Sequence, residues 1–308
     1  MNKVKQNEVS LSTLMCRKKR YPYEKSSYLF LTPFMLFFLV FTVVPVVAAM
    51  LLSFTDFNMV TPPSFVGLSN YVRLLLDDSV FLIAVKNTLI MAVLTGPVSY
   101  VLCLLLAWLV NELSNKMRVV MTAVFYIPST VANAIGIFLY IFSGDSYGLV
   151  NSVLMNLGII RDPILWLTDP AYNMTIVIIV QLWLSLGTGF LSFVAGFQTV
   201  DRSIYEAGAI DGIRNRFQEF YYLTLSSMRP QLMFGAVMQI AASFSVSAVP
   251  MALTGFPSTN DSTTTLVTHI LDVGTIRMEM GYACAIATIL FVSMIITRNL
   301  ISLIIKSD

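Results

Sequence analysis

Six apolar windows dominate this sequence, and each is long enough to cross a membrane as a helix. They cover residues 29–54, 81–110, 119–142, 172–197, 232–253 and 284–305. A spanning helix needs about 20 mostly apolar residues, and the second window exceeds that length, which predicts a tilted helix or one that begins at the membrane surface. Only 12% of the residues are charged, about half the share in soluble proteins. We therefore expect an all-α integral membrane bundle of six transmembrane helices.

A basic cluster at residues 17–20 precedes the first window. Signal peptides have such a cluster too, but their apolar core is only about 7–15 residues long and ends at a small-residue cleavage site. The first window is longer and lacks that site, so we expect it to remain as a membrane anchor. The cluster then acts as a topology signal rather than a nucleic-acid site. The chain accordingly divides into a basic tail, residues 1–28, and one membrane domain, residues 29–308.

The basic residues are unevenly divided between the two sides of the membrane. If all six windows are spans, fifteen of the 19 Lys and Arg residues share one side. These are Lys3, Lys5, Arg17, Lys18, Lys19, Arg20, Lys25, Lys116, Arg118, Arg202, Arg214, Arg216, Arg229, Arg298 and Lys306. The other side receives Arg73, Lys86, Arg161 and Arg277 with nine acids, which are Asp56, Asp77, Asp78, Asp145, Asp162, Asp169, Asp261, Asp272 and Glu279. Because cytoplasmic segments are enriched in Lys and Arg, we expect both termini to be cytoplasmic.

Helix-breaking residues recur inside the windows. Within lipid, such breaks are tolerated where neighbouring helices or a water-filled cavity satisfy the freed backbone groups. Proline is also commoner in membrane helices in general, so the breaks fit either a transport pathway or ordinary packing. They are Pro45, Gly96 with Pro97, Pro128, Gly187 with Gly189, and Pro250.

A charged segment, residues 201–230, separates the fourth and fifth windows. It predicts a short amphipathic helix with Glu206 and Asp211 exposed, followed by a sharp turn at Gly212. The apolar side of that helix would be formed by Ile204, Tyr205, Ala207, Gly208 and Ile210. A second short helix would contain Phe217, Phe220, Tyr221 and Leu223 and end before Pro230. The pattern fits a docking element on the cytoplasmic face or a loop that closes the bundle.

This segment resembles the EAA motif of permease subunits of ATP-binding-cassette importers, where E-A-A is followed three residues later by G. Glu206, Ala207 and Gly212 match the motif. Residues 210–212 (I-D-G) and 223–225 (L-T-L) match details of the sugar importers. The resemblance therefore favours the docking element over a closing loop.

Two positions of the segment depart from that family. Gly208 stands where the family prefers Ala, and Ser226 stands where its members usually carry Pro. Glycine loosens a helix and the missing proline removes a rigid turn. We expect these departures to alter the docking geometry and not to abolish docking.

Other elements extend the resemblance over nearly the whole chain. They are residues 65–71 (F-V-G-L-S-N-Y), residues 125–128 (F-Y-I-P), and residues 253–257 (L-T-G-F-P) with the threonines 263–265. In this order they are similar to the first permease of maltose-type carbohydrate importers. The resemblance implies the fold of a type I importer permease, with six transmembrane helices and a cytoplasmic coupling segment at residues 201–230.

The resemblance also implies a transport role without catalysis in this chain. The chain has no G-x-x-x-x-G-K-[ST] sequence, so we expect no cofactor here and two separate ATPase subunits that bind ATP and Mg. The other implied partners are a second permease, usually a different chain, an extracytoplasmic solute-binding protein, a sugar and membrane lipid, with no nucleic acid. The implied location is a bacterial plasma membrane. The residues implied to couple to the ATPase are Glu206, Ala207, Gly208, Asp211 and Gly212.

Polar and aromatic side chains inside the windows are candidates for sugar contacts, because sugars bind to aromatic faces and to amide or hydroxyl groups in partly dry cavities. Gln239, Ser243 and Ser247 recur every four residues, which predicts one helical face. Hydrogen bonding between helices would explain the same residues. The candidates are Asn133, Tyr140, Gln181, Trp183, Gln239, Ser243, Phe244 and Ser247.

A long polar stretch, residues 254–282, is expected to be an extracytoplasmic loop. With the segments around Asp145 and Asp169, it could receive the solute-binding protein. The only histidine, His269, falls in this stretch. We expect it to be a surface hydrogen-bonding residue rather than a metal ligand or a catalytic base.

Other functions remain open. An importer of amino acids or phosphate would carry the same coupling motif, and only the I-D-G and L-T-G elements favour carbohydrate. A secondary transporter would need ionisable residues within its spans, and the windows hold little beyond Lys86 and Arg298. An assembly subunit without transport would not need the coupling surface.

Overall fold

The computed structural model describes residues 24–131 and 134–306. Within these ranges the chain is helical, and one isolated antiparallel bridge joins Thr55 to Phe65. Five apolar helical stretches and one bent helix pair are long enough to cross a membrane, which confirms the expected six-span fold. In chain order, spans one to six are Tyr28–Leu52, Ser79–Asn111, Asn115–Thr130 with Ala134–Ile141, Asn173–Thr199, Arg229–Thr254 and Met280–Leu303.

Shorter helices occupy both ends of the bundle. We call the end with the segments between spans one and two, three and four, and five and six the acidic face, and the opposite end the basic face. The acidic face carries helices Ser69–Leu76, Leu149–Asn156, Thr259–Asp261, Leu266–Leu271 and Asp272–Ile276. The basic face carries helices Arg202–Ile210, Arg216–Gln218, Glu219–Thr224 and Leu225–Ser227.

Spans three, four and five are interrupted. The two halves of span three are inclined by 78°. Span four stops at Leu184 and resumes at Thr188, and span five stops at Phe244 and resumes at Ala248. Gly187 lies in the break of span four, as the sequence predicts.

The prolines of spans one and two are accommodated without a break. Ahead of Pro45, span one contains a π-helical turn, Leu39–Val43, in which the Val44 N–H donates to Leu39 O. This wider turn accommodates the backbone hydrogen bond that is missing at Pro45, because proline has no N–H to donate. Pro97 lies inside an uninterrupted helix, Ser79–Asn111. A proline in a membrane helix is therefore a weak predictor of a break.

The described chain divides into two compact units within span one, after Ala48. The first unit contributes one apolar helix with Pro33 inside it, and every residue from 28 to 48 is exposed. An exposed apolar helix of this length is stable only in lipid or against another protein.

The core of the second unit is formed by spans two, four, five and six. Phe81 and Phe244 belong to one buried cluster, and Phe190 and Phe193 belong to another. Gly235 of span five lies so close to Phe193 that an added Cβ would overlap the ring. Small residues let membrane helices approach in this way, so these spans form a closely packed frame.

The segment that follows span one folds back onto the end of that span. Asn70 Nδ2 donates to Ser53 O and Thr55 O, each at 2.8 Å, and Tyr71 Oη lies 2.7 Å from Ser53 Oγ. The backbone of Thr55 also passes over Gly281, where a Cβ would overlap Thr55 O. The F-V-G-L-S-N-Y element, singled out by its resemblance alone, thus fixes the end of span one.

Candidate coupling surface and transport cavity

The first helix of the charged segment, Arg202–Ile210, is capped at both ends by its own sequence. The Asp201 carboxylate accepts the Ser203 N–H at 3.0 Å. At the other end Gly212 has a φ of 93°, and the N–H groups of Gly212 and Ile213 donate to Ala209 O at 3.4 Å and Gly208 O at 3.0 Å. This is the Schellman arrangement, which needs the left-handed conformation that glycine adopts readily.

One side of this helix is not covered by any other part of the described chain. Glu206, Ala207, Asp211 and Gly212 are exposed, and Ile210 is 88% exposed. The sequence placed Ala207 and Ile210 on a packed apolar side, and the structure instead exposes them beside Glu206. An acid beside small and apolar side chains on one exposed face is the chemistry of a candidate docking surface for another protein.

The second half of the segment connects this surface to the membrane bundle. Tyr205 Oη lies 2.9 Å from Thr224 Oγ1. Phe220 is buried, and its ring stacks on Trp108 at a centroid distance of 4.7 Å and on Phe197 at 6.3 Å. Because Trp108 and Phe197 belong to spans two and four, Phe220 connects the segment to both spans.

A polar cleft of about 860 Å³ opens beside the segment at the basic face. Glu206 and Arg216 line it together with the ends of spans two, three and four. Arg216 pairs with Glu219 at 3.1 Å and lies 3.9 Å from Glu112. The cleft is charged and wide, so it differs in chemistry from the cavity within the bundle.

A smaller cavity of about 150 Å³ lies where spans two, four and five meet, beside the break of span four. None of its described lining residues is charged. Its polar lining consists of Thr95, Ser99, Gln181, Ser185, Gln239 and Ser243. Three of the predicted sugar-contact residues, Gln181, Gln239 and Ser243, therefore share one cavity. We call it the transport cavity.

The hydroxyl groups of the transport cavity are oriented by their own helices. Thr95 Oγ1 donates to Met91 O at 2.7 Å, and Ser243 Oγ donates to Ile240 O at 3.0 Å. Each hydroxyl has a single hydrogen, so its oxygen is left with lone pairs that can only accept. The cavity wall therefore suits a neutral ligand with many O–H donors.

The other predicted contact residues lie elsewhere. Tyr140 is 65% exposed, and Trp183 packs on Phe138 at 5.1 Å. Phe244 lines a neighbouring apolar cavity of about 370 Å³. Ser247 does not share the helical face of Gln239, because the helix ends at Phe244. Asn133 lies outside the described residues.

His269 is a buried residue, so its expected surface position is wrong. It is 2% exposed in helix Leu266–Leu271, and its Nε2 lies 2.9 Å from Asp78 Oδ2. Tyr282 Oη donates to the same oxygen at 2.7 Å, and the Phe81 N–H donates to Asp78 Oδ1 at 2.9 Å. Burial raises the pKa of Asp78, but these three hydrogen bonds outweigh it and hold that pKa below its usual value.

The stretch expected to be an extracytoplasmic loop is ordered, and many of its polar residues are buried. We call residues 254–279 the cap. Asn87 Nδ2 lies within 3.1 Å of three cap carbonyls, those of Asp261, Ser262 and Thr264. Thr265 Oγ1 donates at 2.8 Å to Val246 O, in the break of span five. The polar side chains of the cap thus pair inside the protein, where sequence composition alone suggested a solvated loop.

Comparison with known proteins adds a decisive observation. Residues 99–306 match the family described as "Binding-protein-dependent transport system inner membrane component". The chain belongs to this family. It is therefore a membrane-spanning permease of a binding-protein-dependent transport system, and the charged segment lies within the matched region.

Two named relatives are permeases of the same kind. The permease is 32% identical over 287 residues to the arabinooligosaccharides transport system permease protein AraP of Bacillus subtilis, covering 92% of this chain and 89% of AraP. It is 33% identical over 239 residues to the sn-glycerol-3-phosphate transport system permease protein UgpA of Agrobacterium fabrum, covering 75% of this chain and 78% of UgpA.

A solved structure shares the fold of the permease. It is a chain in the crystal structure of a bacterial ABC transporter involved in the import of the acidic polysaccharide alginate. The TM-score is 0.75 at 23% identity, with 92% of this chain and 96% of that chain covered. The likeness supports the helical membrane fold described above.

Proposed function

We propose that this permease carries a neutral sugar or a short oligosaccharide inward across a bacterial plasma membrane, driven by separate ATPase subunits that bind ATP and Mg. The observation that carries the proposal is the transport cavity, whose wall offers hydroxyl and amide groups beside a broken span. Broken helices at mid-membrane are a recurrent way to build a substrate site in transporters.

The charge of the cavity favours a sugar over a phosphate ester within this family. The relative AraP is named for arabino-oligosaccharides and the relative UgpA for glycerol phosphate. Arg and Lys are common partners of a phosphate dianion in a partly dry site, and the described lining has neither. Uncharged acceptors and the Gln181 and Gln239 amides match sugar hydroxyls.

The exposed side of helix Arg202–Ile210 is the proposed contact with one ATPase subunit. Glu206, Ala207, Gly208, Asp211 and Gly212 are the proposed coupling residues, of which Gly208 acts from inside by letting the two short helices pack closely. Closure of the ATPase pair would move this surface, and the Phe220 contacts would pass the motion to spans two and four.

The second permease and the solute-binding protein are the remaining proposed partners, and each is assigned to a surface that this chain does not cover itself. The cavity volume is below the roughly 300–1,000 Å³ of typical ligand pockets, so a second permease, a different chain, would complete it. That permease would also cover the exposed part of span one. The extracytoplasmic solute-binding protein would dock on the acidic face, near the cap and the segments around Asp145 and Asp169.

The coupling proposal is tested by co-purification. Glu206→Lys should release the ATPase subunit from the tagged permease, because it reverses the charge at the centre of the exposed surface. Asp162→Lys, an exposed charge reversal on the acidic face, is the matched control and should retain the ATPase. If the complex survives both Glu206→Lys and Gly212→Trp, the importer mechanism proposed here is wrong.

The substrate proposal is tested by uptake into proteoliposomes that contain the whole complex and its binding protein. A panel of neutral oligosaccharides should compete with one another, whereas glycerol 3-phosphate should not. Gln239→Ala and Gln181→Ala should reduce uptake, and Gln198→Ala, in the basic-face cleft, should not. Selective competition by the phosphate ester would overturn the sugar assignment.

A further inference from the structure

Cys103 lies behind the wall of the transport cavity and joins the three spans that form it. It is fully buried on span two. Gln239 Nε2 of span five donates to its Sγ at 3.3 Å, and its S–H donates to Ser185 O of span four at 3.8 Å. Gln239 and Ser185 both line the cavity. A substitution at Cys103 would therefore act on the cavity without being part of its surface.

The Cys103 thiol has a single hydrogen, so it can donate to only one of its two partners, Ser185 O and the Gln239 amide. Ser185 O can only accept, and an S–H that donates to it leaves the sulfur only its lone pairs to offer Gln239. Gln239 then turns its NH₂ group toward the sulfur, which leaves Oε1 for the cavity. An amide orientation is decided by such partners.

Gly189 of span four makes room for the same arrangement. A Cβ at this position would lie 3.2 Å from Gln239 Nε2 and 3.6 Å from Cδ. The bare backbone thus lets span four approach the Gln239 amide closely without turning it away from Cys103. Cys103 thus holds the Gln239 amide by a hydrogen bond, and Gly189 leaves the space that the amide occupies.

We propose that Cys103 is a positioning residue that fixes the Gln239 amide with its oxygen toward the transport cavity, where it accepts a hydroxyl group of the sugar. This inference rests on the proposed function, because it assigns a role to Gln239 within the same cavity. It assigns Cys103 no contact with substrate.

The direction of the hydrogen bond can be measured without any substrate. In the purified complex with Cys16→Ala and Cys284→Ala in this chain, the infrared S–H stretching band of Cys103 is isolated by difference against the further variant Cys103→Ser. The band should lie at the lower frequency of a donating thiol and should stay there in Gln239→Ala. A band that moves when Gln239 is removed would show that the thiol donates to Gln239, and the proposal would fail.

Transport by the same complex in proteoliposomes tests the consequence. With arabinotriose and maltotriose as probe sugars, the initial rate of ATP-driven uptake should fall about tenfold in Cys103→Ala, the effect of one lost hydrogen bond of about 1.4 kcal/mol on a rate constant. Cys103→Ser should recover much of the loss, because a hydroxyl donates and accepts in the same directions. Cys284→Ala, the other described free cysteine, should leave the uptake rate unchanged.

The double variant separates this inference from the proposed function. Cys103→Ala with Gln239→Ala should be no worse than Gln239→Ala alone, because both remove the same oriented acceptor. If Gln239→Ala has no effect on uptake, the proposed cavity fails. If Gln239→Ala impairs uptake and Cys103→Ala does not, or if the two losses add, only the positioning role fails.

Discussion

Two glycines of the coupling segment act in different ways. Gly212 has open space around it, but its φ of 93° is one that residues with a Cβ rarely adopt. Gly208 has an ordinary helical conformation, but a Cβ there would lie 2.6 Å from Leu223 Cδ1 and 3.3 Å from Ile213 Cδ1. The first glycine is required by the backbone, whereas the second only meets the movable end of a neighbouring side chain.

This difference predicts that Gly212 is more sensitive to alanine than Gly208. Gly212→Ala should lower the free energy of unfolding by about 1–2 kcal/mol, the cost of the left-handed conformation, and Gly212→Asn should lower it less. In Gly208→Ala, the end of Leu223 can rotate at a cost of about 0.5–1.5 kcal/mol, offset by about 0.8–1 kcal/mol of helix propensity. Thermal unfolding of the purified complex measures both, and a larger loss in Gly208→Ala would contradict this account.

The departures from the family pattern can now be explained at this scale. Gly208 was expected to loosen the helix, yet Leu223 fills the space that an alanine methyl group would occupy. Ser226 was expected to remove a rigid turn, and it lies within helix Leu225–Ser227, where no turn is made. The sequence correctly predicts the turn at Gly212, because a left-handed glycine after a helix is a local signal. It cannot predict the Leu223 contact, which depends on how two helices pack.

At the scale of elements, one amide on span two bonds three backbone carbonyls of the cap. Asn87 Nδ2 has two hydrogens for three carbonyl oxygens, which come from residues more than 170 positions away. Thr88 Oγ1 accepts the Leu266 N–H at 2.8 Å on the same side. The cap, span two and the break of span five are therefore joined by hydrogen bonds and should move together.

Removing this amide should loosen the cap. Asn87→Ala should lower the free energy of unfolding by about 1–3 kcal/mol, because buried carbonyls lose their donor. Asn87→Asp should be worse than Asn87→Ala, because its carboxylate oxygens would face the carbonyl oxygens in a buried site. Asn58→Ala is the control, since Asn58 accepts three bonds that are local and exposed.

Thermal unfolding and proteolysis within residues 254–279 are the measurements for the Asn87 variants. The control should change the unfolding free energy by less than about 1 kcal/mol and should leave the cap resistant to protease. Equal stability of Asn87→Asp and the unmodified permease would mean that the amide does not hold the cap.

The spans were predictable from sequence, and the cap was not, for a physical reason. The length of an apolar window is a local property that lipid imposes on each helix separately. The break at Gly187 also has a local signal, whereas the break after Phe244 contains Ser245, Val246 and Ser247 and has none. The threonines of the cap look like loop residues until their partners on spans two and five are known.

The candidate site was predictable to a similar extent. Gln181, Gln239 and Ser243 were identified because polar groups are rare within spans, and they share the transport cavity. Cys103 could not be identified from the sequence, since an isolated cysteine has no spacing signal. Its contacts with Gln239 and Ser185 join three different spans and exist only in the folded bundle.

At the scale of the whole molecule, two opposed faces carry different charges and different tasks. The basic face holds the coupling segment, and the acidic face holds the cap and the segment that fixes the end of span one. Within the described chain, the Phe220 contacts and the Asn87 contacts both reach span two, from opposite ends. Span two therefore connects the two faces and is the element through which a motion at one face would affect the other.

The orientation of these faces gives a last prediction, that the basic face is cytoplasmic. Lys and Arg set the orientation of a protein in the membrane, and fifteen of the 19 in this chain lie on the basic side or in the tail.

Tyr147 on the acidic face and Ile210 on the basic face are 84% and 88% exposed, so cysteines at these two positions should react equally fast with a reagent that reaches them. With Cys16→Ala and Cys284→Ala as background, buried Cys103 can remain. In spheroplasts, a membrane-impermeant maleimide should label Tyr147→Cys at once and Ile210→Cys only after permeabilisation. Co-expressed ATPase should then protect Ile210→Cys, whereas labelling of Ile210→Cys in sealed spheroplasts would invert the topology and place the coupling surface out of reach of ATP.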